Sequence, residues 1–212
     1  MVRRTKEAAQ ETRTQLLDTA ERVFRERGVA RTSLVDIAKA AGLTRGAIYW
    51  HFANKADLFE AMCDRATLPL ETMFDSVGDA DLPDPLAKLR EGCIEVLQQV
   101  EQDQRCRRVF EILNFKCEFV DELAPSMLRR KEIRQRAKAI IERNLLHAAA
   151  RGQISAQVDI RCAAMGLFSY IDGLVINWSM QPDSYSLAAQ AGTLLDIYLA
   201  GLRVYGLNPP HE

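Results

Sequence analysis

Three histidines, five scattered cysteines and the lack of any apolar run of membrane-spanning length leave several function classes without their usual parts. His51, His147 and His211 lie far apart along the chain, and no nucleophile–base pair, metal-ligand cluster or phosphate loop accompanies them. An enzyme is therefore not expected, and no catalytic residue, metal or cofactor is assigned. Cys63, Cys93, Cys106, Cys117 and Cys162 show no C-x-x-C pairing, which argues against a zinc or dithiol motif. An odd number without a framework fits a reducing cytoplasm. The charged start, Met1 to Glu7, is followed by no apolar signal core, so neither export nor a membrane span is expected. Glycine (11) and proline (7) are sparse and alternating β-branched runs are missing, which excludes a sheet-based fold.

What is present is a helical pattern over most of 212 residues, with 48% hydrophobic and 27% charged side chains. The net charge of -1 hides an asymmetry. Residues 1–60 hold eleven Lys/Arg against eight Asp/Glu, or +3, leaving -4 on the remainder. The front of the chain is the part suited to phosphate. Apolar spacing predicts a helix over 10–27 through Leu16, Leu17, Ala20, Val23 and Phe24, stopped by Gly28 as a left-handed cap. Thr32 or Ser33 caps a short helix through Leu34, Ile37 and Ala38, which Gly42 breaks. A second short helix runs from Thr44 to about Phe52, and Asn54 caps a longer one from Lys55. Gly78 to Pro85 is a linker rich in breakers and acid. Helices are then expected at 86–102, 105–114, 126–150, 158–180 and 186–205.

The segment from Thr32 to Lys55 fits a helix-turn-helix. Ala38 is small where the helices touch, and Gly42 tolerates positive φ in the turn. Leu34, Ile37, Leu43 and Ile48 fill the shared core. The second helix then offers Thr44, Arg45, Gly46, Tyr49 and Trp50 to a major groove. Arg45 can fork onto guanine, Tyr49 can meet a thymine methyl or a phosphate, and Gly46 allows close backbone approach. Thr32 and Ser33 stand at the entry of the first short helix. His51 and Lys55 are read as phosphate contacts, His51 alternatively as a structural histidine. The cluster Arg3, Arg4, Lys6 is either a solvated tail or an arm reaching the duplex.

Residues 32–55, TSLVDIAKAAGLTRGAIYWHFANK, resemble the DNA-binding signature of the tetracycline-repressor (TetR) family. The opening Arg3-Arg4-Thr5-Lys6 and the later Glu111-Ile-Leu-x-x-Lys-Cys-Glu-Phe119 are similar to the branch of efflux-pump repressors typified by AcrR and TtgR. The resemblance implies an all-α protein. Residues 1–54 would form a three-helix DNA-binding domain, and residues 55–212 a larger helical domain for effector binding and dimerisation. It further implies double-stranded operator DNA, a drug-like aromatic or apolar effector and a second copy of the chain as partners. Loss of repression on effector binding, at a multidrug efflux operon, is the implied function.

Pairing has support in the residues themselves, because one helix-turn-helix makes too few base contacts to find an operator. In 158–180, Ile160, Ala164, Leu167, Ile171, Leu174 and Trp178 form one apolar stripe. Ala163, Gly166, Tyr170, Gly173 and Asn177 form a second with small residues beside it. Leu187, Ala191, Leu194, Tyr198 and Leu202 continue the pattern in the last helix. The alternative is a pair of interior helices in a monomeric bundle.

For the effector, the resemblance points to Ala66, Val96, Phe110, Leu113, Asn114, Ile141, Phe168, Asp172 and Val175, with ordinary core packing as the alternative for each. The chain departs from the branch at Phe110 and Asn114, where an Asn and a His are expected. Asp172, embedded among apolar neighbours, needs either a ligand or an internal arginine. The basic stretch 128–138 reads as a solvated face around Ile133, Ala137 and Ile140. A thiol switch at Cys106, beside Arg105, Arg107 and Arg108, is the alternative mode of regulation.

Overall fold

A computed structural model describes residues 2–77, 83–118 and 121–205. Among them are nine α-helices, one short 3-10 helix and no strand. Helix α1 spans Val2–Arg27 and starts well before the expected residue 10. Residues 6–11, Lys-Glu-Ala-Ala-Gln-Glu, are strong helix formers, so the backbone stays helical where no apolar stripe marks it. Arg3 and Arg4 fall within this helical backbone, but their side chains lie outside the described residues. Gly28 ends α1 at φ +82, its N–H on Phe24 O at 2.8 Å.

Helix α2 (Leu34–Ala40) is capped by Ser33 and not by Thr32. Ser33 Oγ accepts from the Asp36 N–H at 3.2 Å, while the Asp36 carboxylate accepts from the Ser33 N–H at 2.9 Å. Thr32 is buried and its hydroxyl donates to Gly28 O at 2.8 Å. The turn after α2 closes with Leu43 N–H on Ala38 O and Gly42 N–H on Lys39 O, at 2.9 and 3.1 Å, with Gly42 at φ +69. Thr44 then caps α3 (Arg45–His51) through the Ala47 N–H at 3.2 Å. Asn54 starts α4 (Lys55–Val77) by accepting from the Asp57 N–H at 2.9 Å.

Of the expected linker, 78–82 lie outside the described residues. Asp84 caps α5 (Pro85–Gln102), and α6 (Gln104–Phe115) follows at once. After the 3-10 helix Asp121–Leu123, α7 runs over Ala124–Ala150, with Pro125 in the first turn, where no backbone donor is needed. Asp159 and Ser186 cap α8 (Ile160–Met180) and α9 (Leu187–Val204).

The chain divides into two compact units. The first joins residues 1–67 to 108–130, so the helix-turn-helix shares its core with a segment from far along the sequence. Leu16, Phe24, Ile37, Ile48, Phe52, Phe59 and Met62 pack with Val109, Ile112 and Leu123. Leu34, Ile37, Ala38 and Ile48 are buried as the helix-turn-helix reading requires, and Leu43 is partly so. Charge is built into the same core. The Glu21 carboxylate, 1% exposed, pairs with Arg65 of α4 and, at 3.3 Å, with Arg108 of α6. An unpaired carboxylate there would cost several kcal/mol, so the arginines are part of the packing.

The second unit holds residues 68–107 and 131–212. Helix α5 lies along α9, joined by a two-bond Arg90–Asp196 pair at 2.6 and 2.9 Å. Trp178 is buried, with its indole N–H on Tyr185 O at 3.1 Å and the Arg107 guanidinium 5.2 Å above its ring.

Helix α8 corrects one expectation. By length and composition it is apolar enough to cross a membrane, with Arg161 and Asp172 its only charged residues. Its surplus of apolar surface has two destinations. Ala163, Ala164, Leu167, Ile171, Val175 and Trp178 are buried within the unit, whereas Met165 and Met180 are exposed.

The basic stretch of α7 is only in part the solvated face expected, with Lys131, Glu132, Gln135 and Arg136 exposed. Arg129 pairs with Asp64 at 2.7 Å, and Arg130 donates to Leu113 O and Asn114 Oδ1, both at 2.9 Å. Arg134 pairs with Asp172. Guanidinium groups with several fixed donors are drawn to carboxylates and carbonyls within reach, which helical periodicity does not record.

Candidate nucleic-acid interface

Helix α3 is seven residues long and is anchored by the side chain of Ile48, fully buried in the first unit. Around that anchor Thr44, Arg45, Gly46, Tyr49 and Trp50 are all exposed. Tyr49 keeps 45% and Trp50 72% of its surface open, large values for rings that burial ordinarily claims. The Arg45 guanidinium lies 5.4 Å from the Tyr49 ring centroid. A guanidinium over a ring at the first residue of an exposed helix can present its paired donors to a base edge. Gln15 donates to Ala41 O at 2.9 Å, fastening the end of α2 to α1.

His51 is half-buried, its ring edge-on to Trp50 at 4.5 Å. Burial, aided by the positive charge of Arg13, holds its imidazole below the ordinary histidine value, so it is neutral at pH 7. It has an N–H to offer a phosphate, not a full charge. Ser33 is exposed but its hydroxyl serves the cap, and Thr32 faces inward. Val35 and Lys39, exposed on α2, were not singled out from the sequence, because nothing in their spacing marks them.

Lys55 sits differently from the free phosphate ligand expected of it. It is 7% exposed, its ammonium donating to Val29 O at 3.2 Å and pairing with Glu122 at 3.0 Å. Glu122 lies some seventy positions along the chain, so only the tertiary fold brings the two together.

The residues assigned to the effector fall in both units. Ala66, Phe110, Leu113 and Asn114 belong to the first, and Val96, Ile141, Phe168, Asp172 and Val175 to the second. Ala66, Val96, Ile141 and Val175 are buried, while Phe110, Leu113, Asn114, Phe168 and Asp172 are half-buried. Asn114 is engaged by Arg130. Of the two partners open to Asp172 from the sequence, a ligand or an arginine, the structure shows an arginine, with both oxygens bound by Arg134 at 2.9 Å. Arg134 and Lys138 also stand 4.8 and 5.0 Å from the Phe168 ring centroid.

The family description "Bacterial regulatory proteins, tetR family" matches residues 16–62, and "MAATS-type transcriptional repressor, C-terminal region" matches 84–204. The chain belongs to the TetR family. The HTH-type transcriptional regulator TtgR of Pseudomonas putida is 43% identical over 211 residues, covering 96% of this chain and 97% of TtgR. The crystal structure of NalD, the secondary repressor of the MexAB-OprM multidrug efflux pump in Pseudomonas aeruginosa, is similar at TM-score 0.84 and 35% identity. That match covers 93% of this chain and 98% of NalD. A SmeT–triclosan complex matches at TM-score 0.80 and 30% identity over 95% of this chain and 96% of SmeT, the Stenotrophomonas maltophilia repressor of the pump SmeDEF. This TetR-family chain is thus a transcriptional repressor and not an enzyme, and NalD and SmeT among its relatives are repressors of multidrug efflux pumps.

In this TetR-family chain Cys106 does not meet the needs of a thiol switch. It is fully buried, and desolvation, with the nearby Asp103 charge, pushes its thiol up to about 12. Two of the arginines beside it in sequence point elsewhere, Arg107 to Trp178 and Arg108 to Glu21.

Proposed function

We propose that this protein binds operator DNA as a homodimer through α3 of each copy and leaves it when an aromatic or largely apolar compound binds the C-terminal body. The target proposed is a multidrug efflux operon, and DNA as a target sets the site of action in the cytoplasm. The observation that carries the reading is the surface of α3, where Arg45, Tyr49 and Trp50 stay in solvent on a helix too short to hold them there without the core behind it. Arg45 reads a base, Tyr49 and Trp50 meet methyl groups or sugars, and Thr44 and His51 donate to phosphate.

Dimerisation is supported by the apolar surface left on α8 and α9. Met165, Met180, Ile197 and Val204 are exposed, and open space lies beyond the Cα of Gly173 and of Gly201. Small residues with nothing in front of them suit close approach by a second copy. Release is a population shift, in which the ligand prefers a conformer whose two recognition helices no longer match the half-sites. Phe168, in the second unit, supplies a ring contact. Asp172 is already paired with Arg134, so a ligand donor has to share or displace that guanidinium.

The test combines footprinting of upstream DNA with calorimetry and operator release over a panel of antibiotics, flavonoids and dyes. A protected palindromic site lost on adding an apolar aromatic compound is the expected result. Phe168→Ala should alter which compounds bind while operator affinity without ligand stays intact, and Asp172→Ala should weaken ligands with a donor more than wholly apolar ones. Unaltered binding in both variants sinks the assignment of the pocket. Absence of any protected site sinks the DNA reading.

A further inference from the structure

The turn between α1 and α2 is tied to distant parts of its unit at one residue, Val29. The Val29 N–H donates to Lys116 O at 2.9 Å, beyond the end of α6. The Val29 carbonyl accepts twice, from the Thr32 N–H at 3.3 Å and from Lys55 Nζ at 3.2 Å. Lys55 in turn pairs with Glu122 on the 3-10 helix at 3.0 Å. The Val29 side chain is wholly buried, and the Lys55 side chain is 8% exposed against 51% for Glu122. Helix α2 follows directly on this turn and α3 packs on α2. Val29 is thus one of the points that place the reading surface on its unit, with the Gln15–Ala41 bond and the buried Ile37 and Ile48. Two arms hold the turn, one from Lys55 at the start of α4, itself paired with Glu122, and one from Lys116.

We infer that Lys55 is a positioning residue for operator binding and not a phosphate ligand, and that Glu122 is its working partner. The pair sets where α2 and α3 stand against the rest of the first unit. A buried ammonium with one carbonyl and one carboxylate partner is held by its surroundings, and turning it out to a phosphate would strip both. The inference rests on α3 being the helix that contacts DNA.

The two roles predict opposite signs at Glu122. Were Lys55 a phosphate ligand, removing a carboxylate beside it would free the cation and remove repulsion from DNA. Glu122→Ala would then bind the operator more tightly, with a steeper salt dependence. As a positioning partner, Glu122→Ala loosens the turn, and operator affinity falls. A phosphate contact contributes about 0.9 to the slope of log affinity against log salt, so its loss is readable in a titration.

The experiment uses the full-length chain, its mapped operator duplex, and the variants Lys55→Met, Glu122→Ala, Glu122→Asp and Arg45→Ala. Thermal melts fix a temperature at which every variant is fully folded. Lys55→Met and Glu122→Ala are expected to weaken operator binding by about tenfold and fivefold, with a slope within about 0.3 of wild type, well short of one phosphate's worth. Glu122→Asp should regain part of the loss, and the Val29 amide should exchange faster in both weakened variants. Tighter binding by Glu122→Ala, a slope lowered by about one in Lys55→Met, or unchanged affinity in both overturns the inference. Because Glu122 is half in solvent, its variants keep the test decisive if Lys55→Met folds poorly. Unchanged affinity and specificity in Arg45→Ala would instead bring down the reading of α3.

Discussion

Helix α3 exposes Tyr49 and Trp50 beside Thr44 and Arg45, whereas α8 exposes Met165 and Met180 beside Gly173 and Asn177. Both leave apolar surface in water, but the company differs. On α3 the rings come with a cation and a hydroxyl on a seven-residue helix, a set that suits a charged, grooved polyanion. On α8 the apolar atoms come with glycines along 21 residues, which suits a second helix approaching closely. Exposed hydrophobicity alone does not separate a nucleic-acid surface from a protein one; the neighbouring polar types and the length of the element do.

The largest effect that sharpens this contrast is expected at Gly173. A Cβ there meets nothing within 4 Å in the single chain, whereas one at Gly166 meets the Tyr198 hydroxyl at 2.6 Å. Gly173→Leu should therefore fold normally as a chain and fail in pairing. At about 1–3 kcal/mol for overpacking in each copy, the dimer loses about 2–6 kcal/mol. Sedimentation at micromolar concentration checks it, and an unchanged dimer places the interface elsewhere. Arg45→Ala comes next, costing about 1–3 kcal/mol and relaxing specificity at one base position. Selection of binding sites from a randomised half-site reads both parts; uniform weakening over all sequences would make Arg45 a backbone contact.

A smaller effect is expected at the cap of α2. Ser33→Ala should lower stability by about 1 kcal/mol in thermal melts at neutral pH. Hydrogen bonds from the Ser33 side chain and backbone hold the Asp36 carboxyl below its ordinary value. That contribution is present above the carboxylate's unfolded value and is lost as pH falls through the lower folded one, so the cost of the variant should shrink below about pH 4. A cost that grows on acidification contradicts the capping box. The smallest effect is at Cys106. Mild oxidant should leave operator binding as it was, in wild type and in Cys106→Ala alike, since the buried thiol is not a thiolate near neutral pH. Loss of binding in wild type only would restore the redox reading.

Helix placement was largely legible because caps and breakers act locally. Ser33, Gly28, Gly42, Thr44 and Asn54 each stand at an end of a helix, and the expected bounds of α5 to α9 differ from the observed ones by no more than two residues. The reach of α1 was missed because its first turns carry no apolar stripe. The exposure of α3 was legible for the same local reason, as its single inward residue, Ile48, leaves the rest outside. The fates of long cationic side chains were not. Arg129, Arg130 and Arg134 sit in one basic run, yet each finds a different partner, between 16 and 65 positions away.

The sequence by itself determined the helices, their caps, the turn at Gly42 and the face that α3 presents, because each follows from contacts within about five residues. Tertiary structure alone decided that residues 108–130 complete the core around the helix-turn-helix, and that Glu21 is buried between two arginines. It alone decided that Lys55 spends its charge on Val29 and Glu122. The physical reason is reach. A lysine or arginine head group lies several bonds from its backbone, and which carbonyl or carboxylate it meets is set by elements packed against it, which no local spacing encodes.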